Sequence, residues 1–190
     1  MIAALFAATL ALLNPPDPQS PTPTPRDPAW ERLVAAKKQF QRDFCAIMAD
    51  QYPEMKILIE LSRDLQLAYI DAHSERFYHL LQNHPDRIVR TKGLSAFTNF
   101  RWEDSDEHRL LESNPEYRRY TEQVKKLRET NDGHPLWPEA RKRFASLRQS
   151  QAYSKLQQEF EKARAEVEQL LARHPDDETT PSESLLDSGS

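Results

Sequence analysis

Residues 139–173 run for thirty-five positions without a proline or glycine, between Pro138 on one side and His174-Pro175 on the other. The stretch is rich in Ala, Leu, Glu, Gln, Lys and Arg, the residues that lose least on entering a helix. Pro138 suits a first helical turn and Pro175 forbids continuation. One rod of this length would reach about 50 Å at about 1.5 Å per residue. The helical wheel argues against a single rod. With Ala140 at 0°, Phe144 and Leu147 fall near 40° and −20°, whereas Tyr153, Leu156, Phe160, Ala163, Val167 and Leu170 fall between about 120° and 220°. The apolar face changes sides between Leu147 and Tyr153. The stretch is therefore expected to break around Gln149 to Gln151, or to pack its two halves on different neighbours.

The remaining helices follow from caps and periodicity. Asp27-Pro28 is a start signal for a helix over residues 29–51, with Trp30, Leu33, Val34, Phe40, Phe44, Ile47 and Met48 on one side. Pro53 interrupts it and disfavours the helical region for Tyr52. A second helix is expected over residues 53–83, its stripe marked by Met55, Leu58, Leu65, Tyr69, Ala72 and Leu80. Ser62 and Arg76 occupy two positions of that stripe. So tight a connection favours an antiparallel hairpin over one kinked helix. Residues 85–92 read as a short helix closed by Gly93. Phe97, Phe100 and Trp102 form the densest aromatic cluster and are expected to plug one end of a bundle. Asp104 or Ser105 would cap a helix ending near Ser113, and Asn114-Pro115 opens another that ends at Asn131-Asp132-Gly133. Residues 134–138 form an irregular corner. Leu-Leu pairs shortly before a proline recur at Leu80, Leu110 and Leu170, but the prolines stand thirty and then sixty residues apart, which fits similar helix endings better than a structural repeat.

The expected fold is all-α, an elongated helical bundle built from helical hairpins, with coiled-coil-like packing and tails at both ends. Residues 1–13 carry no charged side chain and only Thr9 as a polar one. That run is too short for a transmembrane helix, which needs about 20 residues, and has the length of a secretory signal core, with small residues that suit a cleavage after Ala11; uncleaved, it would be a short N-terminal anchor. No Lys or Arg accompanies it near Met1. Residues 14–28 form a Pro-rich linker, extended in the polyproline manner. Residues 29–174 are the helical domain. Residues 175–190 hold Asp176, Asp177, Glu178, Glu183 and Asp187 without a basic residue, and are expected to be a disordered acidic tail. The whole chain has a net charge of −4, so its acidity resides in that tail and the domain is slightly basic. Cys45 is the single cysteine, which removes internal disulfides and cysteine-based zinc or iron–sulfur sites. It lies near an apolar stripe and reads as a buried small hydrophobe.

Candidate chemistry is sparse. His84, His134 and His174 each precede a proline at a helix boundary, where an imidazole can meet free carbonyls and the negative end of the dipole. Glu103, Asp104, Asp106, Glu107 and His108, with Glu112 a turn later, are the one dense group of metal-capable side chains. Acidic residues at a helix start are already accounted for by the dipole, and the calcium-loop glycine is missing. Asp71, His73 and Glu75 lie within a few residues, but positions two apart do not face each other; Glu75 and His79, or His108 and Glu112, do so at four apart, as is common on solvated helices. No catalytic residue, metal or cofactor is assigned. Between Arg118 and Lys155 ten basic residues stand against four acidic ones, a surface suited to anionic lipid or polymer, or to an ordinary solvated face.

These features point to an exported, non-catalytic helical interaction or structural protein of the cell envelope, in the periplasm, outside the cell or at the membrane. Its partners would be proteins met through helical surfaces, with membrane proximity supplied by the N-terminus and no nucleic acid. A second reading is an extracytoplasmic holdase chaperone. A third is a metal-binding bundle or hydrolytic enzyme.

Overall fold

The computed structural model describes residues 26–173. The signal-like run, most of the proline segment, His174 and the acidic tail lie outside the described residues. Within them the chain is all-α: α1 (Pro28–Gln51), α2 (Lys56–Asn83), α3 (Gly93–Thr98), α4 (Asp104–Ser113), α5 (Pro115–Asp132), α6 (Trp137–Leu147) and α7 (Gln151–Ala172), with 3-10 turns at Pro53–Met55 and Pro85–Arg87. No described helix is long and apolar enough to cross a membrane.

The N-terminus of α1 is fixed by the buried Asp27, whose Oδ1 accepts the Trp30 N–H at 2.9 Å while Pro28 occupies the first turn. Arg90 pairs with the same carboxylate. At the other end Tyr52 leaves the helical region, at φ −134° and ψ 66°, ahead of Pro53. The chain then reverses into α2, so α1 and α2 form an antiparallel hairpin rather than a kinked rod. Trp30 stacks on Phe77 near the open end, and Lys38 pairs with Asp71 midway. Met48 packs with Met55 and Leu58 near the turn.

The other long helices flank this hairpin. α5 runs antiparallel along α2, with Arg76 beside Tyr117 at one end and Ser62 beside Asn131 at the other. α7 runs antiparallel along α1, where Arg32 meets Glu166 at 2.6 Å and Phe40 and Phe44 meet Phe160 and Tyr153. The spatial order is thus α7, α1, α2, α5. α6 carries the chain from one edge to the other across the hairpin turn, burying Ala140 and Leu147 against Cys45, Met48, Met55, Leu58 and Ile59. At the opposite end Leu94 and Phe97 of α3 join Trp30, Leu33, Phe77, Leu80 and Val167 in the largest apolar cluster, with Phe100 and Trp102 at its margin. The aromatic segment closes that end of the bundle, as its composition suggests.

The face swap in residues 139–173 has a plain structural cause. α6 stops at Leu147, a turn follows, and Ser150 adopts φ −84° and ψ 155° as the cap of α7, its Oγ accepting the Tyr153 N–H at 3.2 Å. The break lets both segments turn their apolar stripes to the hairpin: Phe144 and Tyr153 both meet Phe44 of α1, from which α7 continues along that helix. Losing this cap leaves an amide at the start of α7 without its partner. Ser150→Ala is expected to lower stability by about 1 kcal/mol, read as a lower urea midpoint at unchanged slope.

Two local expectations are corrected. Residues 85–92 do not form a helix closed by Gly93. Only one 3-10 turn is made, because Ile88 adopts an extended conformation (φ −96°, ψ 101°) and is buried in the apolar cluster. Gly93, at φ +79°, instead opens α3, in a region where an L side chain would be strained. The cap of α4 is Glu103 rather than Asp104 or Ser105, with the Asp106 carboxylate accepting the Glu103 N–H at 3.2 Å.

Candidate functional site

Beside the aromatic plug, four short pieces of chain converge on two carboxylates. The last turns of α2 contribute Arg76 and His79, with His84 just past its end. The following 3-10 turn contributes Arg87, the start of α4 contributes Glu103, Asp106 and Glu107, and the start of α5 contributes Tyr117.

Asp106 is 1 % exposed. Its Oδ2 accepts from Arg87 Nη1 at 2.7 Å, while Arg87 Nη2 lies 3.4 Å from Glu103. Its Oδ1 has no hydrogen-bond partner, and neither does the buried Nε2 of His79, 3.9 Å away. His84 Nε2 stands 3.7 Å from the same oxygen. Burial holds His79 below the ordinary imidazole range; Asp106 opposes that effect, and Arg109 and His84 add to it.

Glu107 forms the second centre. It accepts from Tyr117 Oη at 2.7 and 2.8 Å, from Trp102 Nε1 at 2.8 Å and from Arg76 Nη2 at 3.0 Å. Arg76 Nε also donates to the Tyr117 oxygen at 2.7 Å, and its guanidinium lies over the Trp102 ring. Tyr117 is fully buried. Its hydroxyl is held above its ordinary range by burial, then by the bond to Glu107. Glu107 is therefore ringed by donors, and the charge of Asp106 is met by Arg87. Such groups bind neighbouring helices to one another; as an acid–base pair they would first have to give up the bonds that position them.

The other singled-out residues are dispersed. Asp71 is taken by Lys38, and Glu75 accepts from Asn114 at 2.7 Å. His73 lies against aromatic rings, stacked on Phe100 at 4.6 Å and 5.4 Å from Trp30, where burial and then Lys37 bring it down to about 4. His108 turns back to the Asp104 carbonyl at 2.7 Å, and Glu112 is exposed. Among the described residues no group of three or more His, Cys, Asp and Glu is arranged to hold a metal ion. His84 does not cap carbonyls, since its ring faces Asp106. His134 accepts the Leu136 N–H at 3.3 Å instead of donating to a helix end. Cys45 is buried and its thiol is pushed up to about 11 by desolvation, as suits a core residue.

Three grooves open to solvent follow helix seams. One of about 320 Å³ lies between α2 and α5, lined by Tyr69, Ala72, His73, Arg76, Thr121 and Val124. The others lie between α1 and α2 near Cys45 and between α1 and α7 near Phe40. The exposed surface of α5, α6 and the start of α7 has a different character. Lys125, Lys126, Arg128, Arg141, Arg148 and Lys155 are exposed there, and among the described residues none has a carboxylate within 4.0 Å. Leu136, 36 % exposed, immediately precedes α6.

The chain matches no protein-family model, no curated protein and no solved structure.

Proposed function

We propose that this chain is an exported, non-catalytic helical protein of the cell envelope that binds a protein partner through the outer surface of α5, α6 and the start of α7. One observation carries the reading: among the described residues the six cations just named have no carboxylate within 4.0 Å, whereas Arg76, Glu107 and Tyr117, and Arg87 with Asp106, are engaged with one another inside the bundle. Exposed cations raise the encounter rate with an anionic surface and help set its register, while the internal network ties the start of α5, a helix that carries three of them, to α2 and α4. Export rests on the signal-like run and the proline segment that follows it.

A two-armed experiment tests this. The full chain, purified from the envelope, is used as bait beside a variant carrying Arg141→Glu, Arg148→Glu and Lys155→Glu. A partner held through this face should be retained roughly ten-fold less by the variant, and lost from the wild type as salt shortens the reach of its charges. Equal retention, insensitive to salt, removes the proposed surface. In the second arm a reporter joined after Pro28 should be recovered outside the cytoplasm; a cytoplasmic reporter removes the export part.

A further inference from the structure

We propose that residues 94–102 form an acid-released plug: protonation of His73 and His79, the two α2 histidines that abut it, undocks the segment and uncovers the aromatic cluster beneath while the long helices stay folded. The inference concerns the end of the bundle opposite α6, so its outcome and that of the binding reading are independent.

The geometry is specific to this segment. Its three aromatic side chains carry the docking. Phe97, fully buried, lies 5.7 Å from Trp30 and 5.4 Å from Phe77. Phe100 stacks on His73 with planes 10° apart. Trp102 meets His79 edge-on at 5.7 Å. A histidine thus supports two of the three rings, and both histidines project from a helix that stays in place when the segment leaves. α3, the only regular part of the segment, has six residues. A helix this short is unstable alone, so its order depends on docking.

The surroundings of both imidazoles oppose a positive charge. His73 faces Lys37 from α1 and Arg76 from its own helix; the Thr98 backbone of α3 favours the charged form, and burial outweighs it. His79 faces Asp106 and Arg109 from α4 and His84 beyond the end of α2. Asp106, the one anion among these, already holds Arg87 at 2.7 Å. A proton on either ring is therefore better accommodated in water than in the docked state. The sign follows from linkage. Above pH ~6.5 both states carry neutral imidazoles and docking is unaffected by pH. As pH falls below that value His73 in the undocked state gains a proton that docked His73 takes up only near pH 4. Between pH 7 and 4 His73 alone shifts the opening equilibrium by at most roughly 10²-fold toward release, since Lys37 and Arg76 stay beside it, and His79 acts in the same direction.

The test is hydrogen exchange of the full chain, resolved by peptide, with far-UV circular dichroism measured in parallel from pH 7 to 4. After correction for the intrinsic chemical rate, residues 94–102 should lose protection by roughly 10²-fold while peptides from α1 and α2 and the helical signal hold. His73→Phe keeps a ring for Phe100 to stack on and removes the titrating group, so it should blunt the loss. His73→Phe combined with His79→Gln should flatten it. Should the phenylalanine disturb folding at pH 7, His73→Gln replaces it with the same expectation. Protection unchanged down to pH 4, an equal loss in the double variant, or loss of the helical signal at the same midpoint as the segment would each overturn the proposal.

Discussion

Trp30→Ala is expected to be among the most damaging single substitutions in this chain, lowering stability by about 3–5 kcal/mol. The indole is 1 % exposed. It stacks on Phe77 with centroids 3.9 Å apart and planes 3° apart, meets the edge of Phe97, and donates to Ser74 Oγ at 3.0 Å. Truncation removes the largest side chain of the cluster that joins α1, α2, α3 and α7, and a rigid seam cannot close over the space. The Ser74 hydroxyl also loses its donor. Urea unfolding followed by circular dichroism checks the size of the effect. Trp137→Ala, at a half-buried ring beside α6, should cost less than half as much. Equal losses would show that the two ends of the bundle contribute alike.

Arg87→Met is expected to cost about 3–5 kcal/mol for a different reason. Among the described residues the arginine is the only cation within 3 Å of Asp106, a carboxylate with almost no access to water. Removing it leaves a buried anion beside His84 and His79, and burial disfavours charging of the latter. The destabilisation comes mainly from the orphaned partner, because an intact buried pair offsets little more than its own desolvation. Adding Asp106→Asn to Arg87→Met should therefore restore at least half of the loss, whereas Asp106→Asn alone should be milder than Arg87→Met. Additive losses in the double variant would count against this account.

The parts of the architecture that were legible in the sequence are those set by short-range chemistry. Asp27-Pro28 and Asn114-Pro115 mark helix starts because the capping oxygen and the fixed proline φ act within three residues. The reversal at Tyr52-Pro53 is likewise local. The discontinuity near Gln149 was visible because a helix can bury only one stripe, and Leu147 and Tyr153 do not share one. The boundary at Gly93 was misread because glycine at φ +79° serves an entry as readily as an exit, and what ends the preceding turn is the burial of the distant Ile88.

The internal network was harder to see because its members are far apart in sequence. Arg76 lies 41 positions from Tyr117 and 31 from Glu107. Its signal was nevertheless present: a charged residue on the apolar stripe of α2 must find a buried partner, as Ser62 does on the same stripe by bonding Leu58 and Asn131. The acidic start of α4 reads as dipole compensation, which accounts for Asp104. It does not reveal that Asp106 and Glu107 turn inward to different cations, because those cations stand on the end of α2 and on the 3-10 turn after it, 31 and 19 positions away.

The placement of α7 along α1 sets a timetable for the chain as it is made. Arg32 and Glu166 are 134 positions apart. The hairpin of α1 and α2 can close within its first sixty or so residues on a microsecond-scale local search, and α5 can join it next. The side of α1 carrying Ala36 and Phe40, however, has no covering helix until the ribosome has passed residue 163. At about 5–20 residues per second that side stays uncovered for several seconds or more. Newly made chains thus pass through an interval in which one flank of an otherwise formed bundle is open to association with other chains, and the synthesis of α7 ends it.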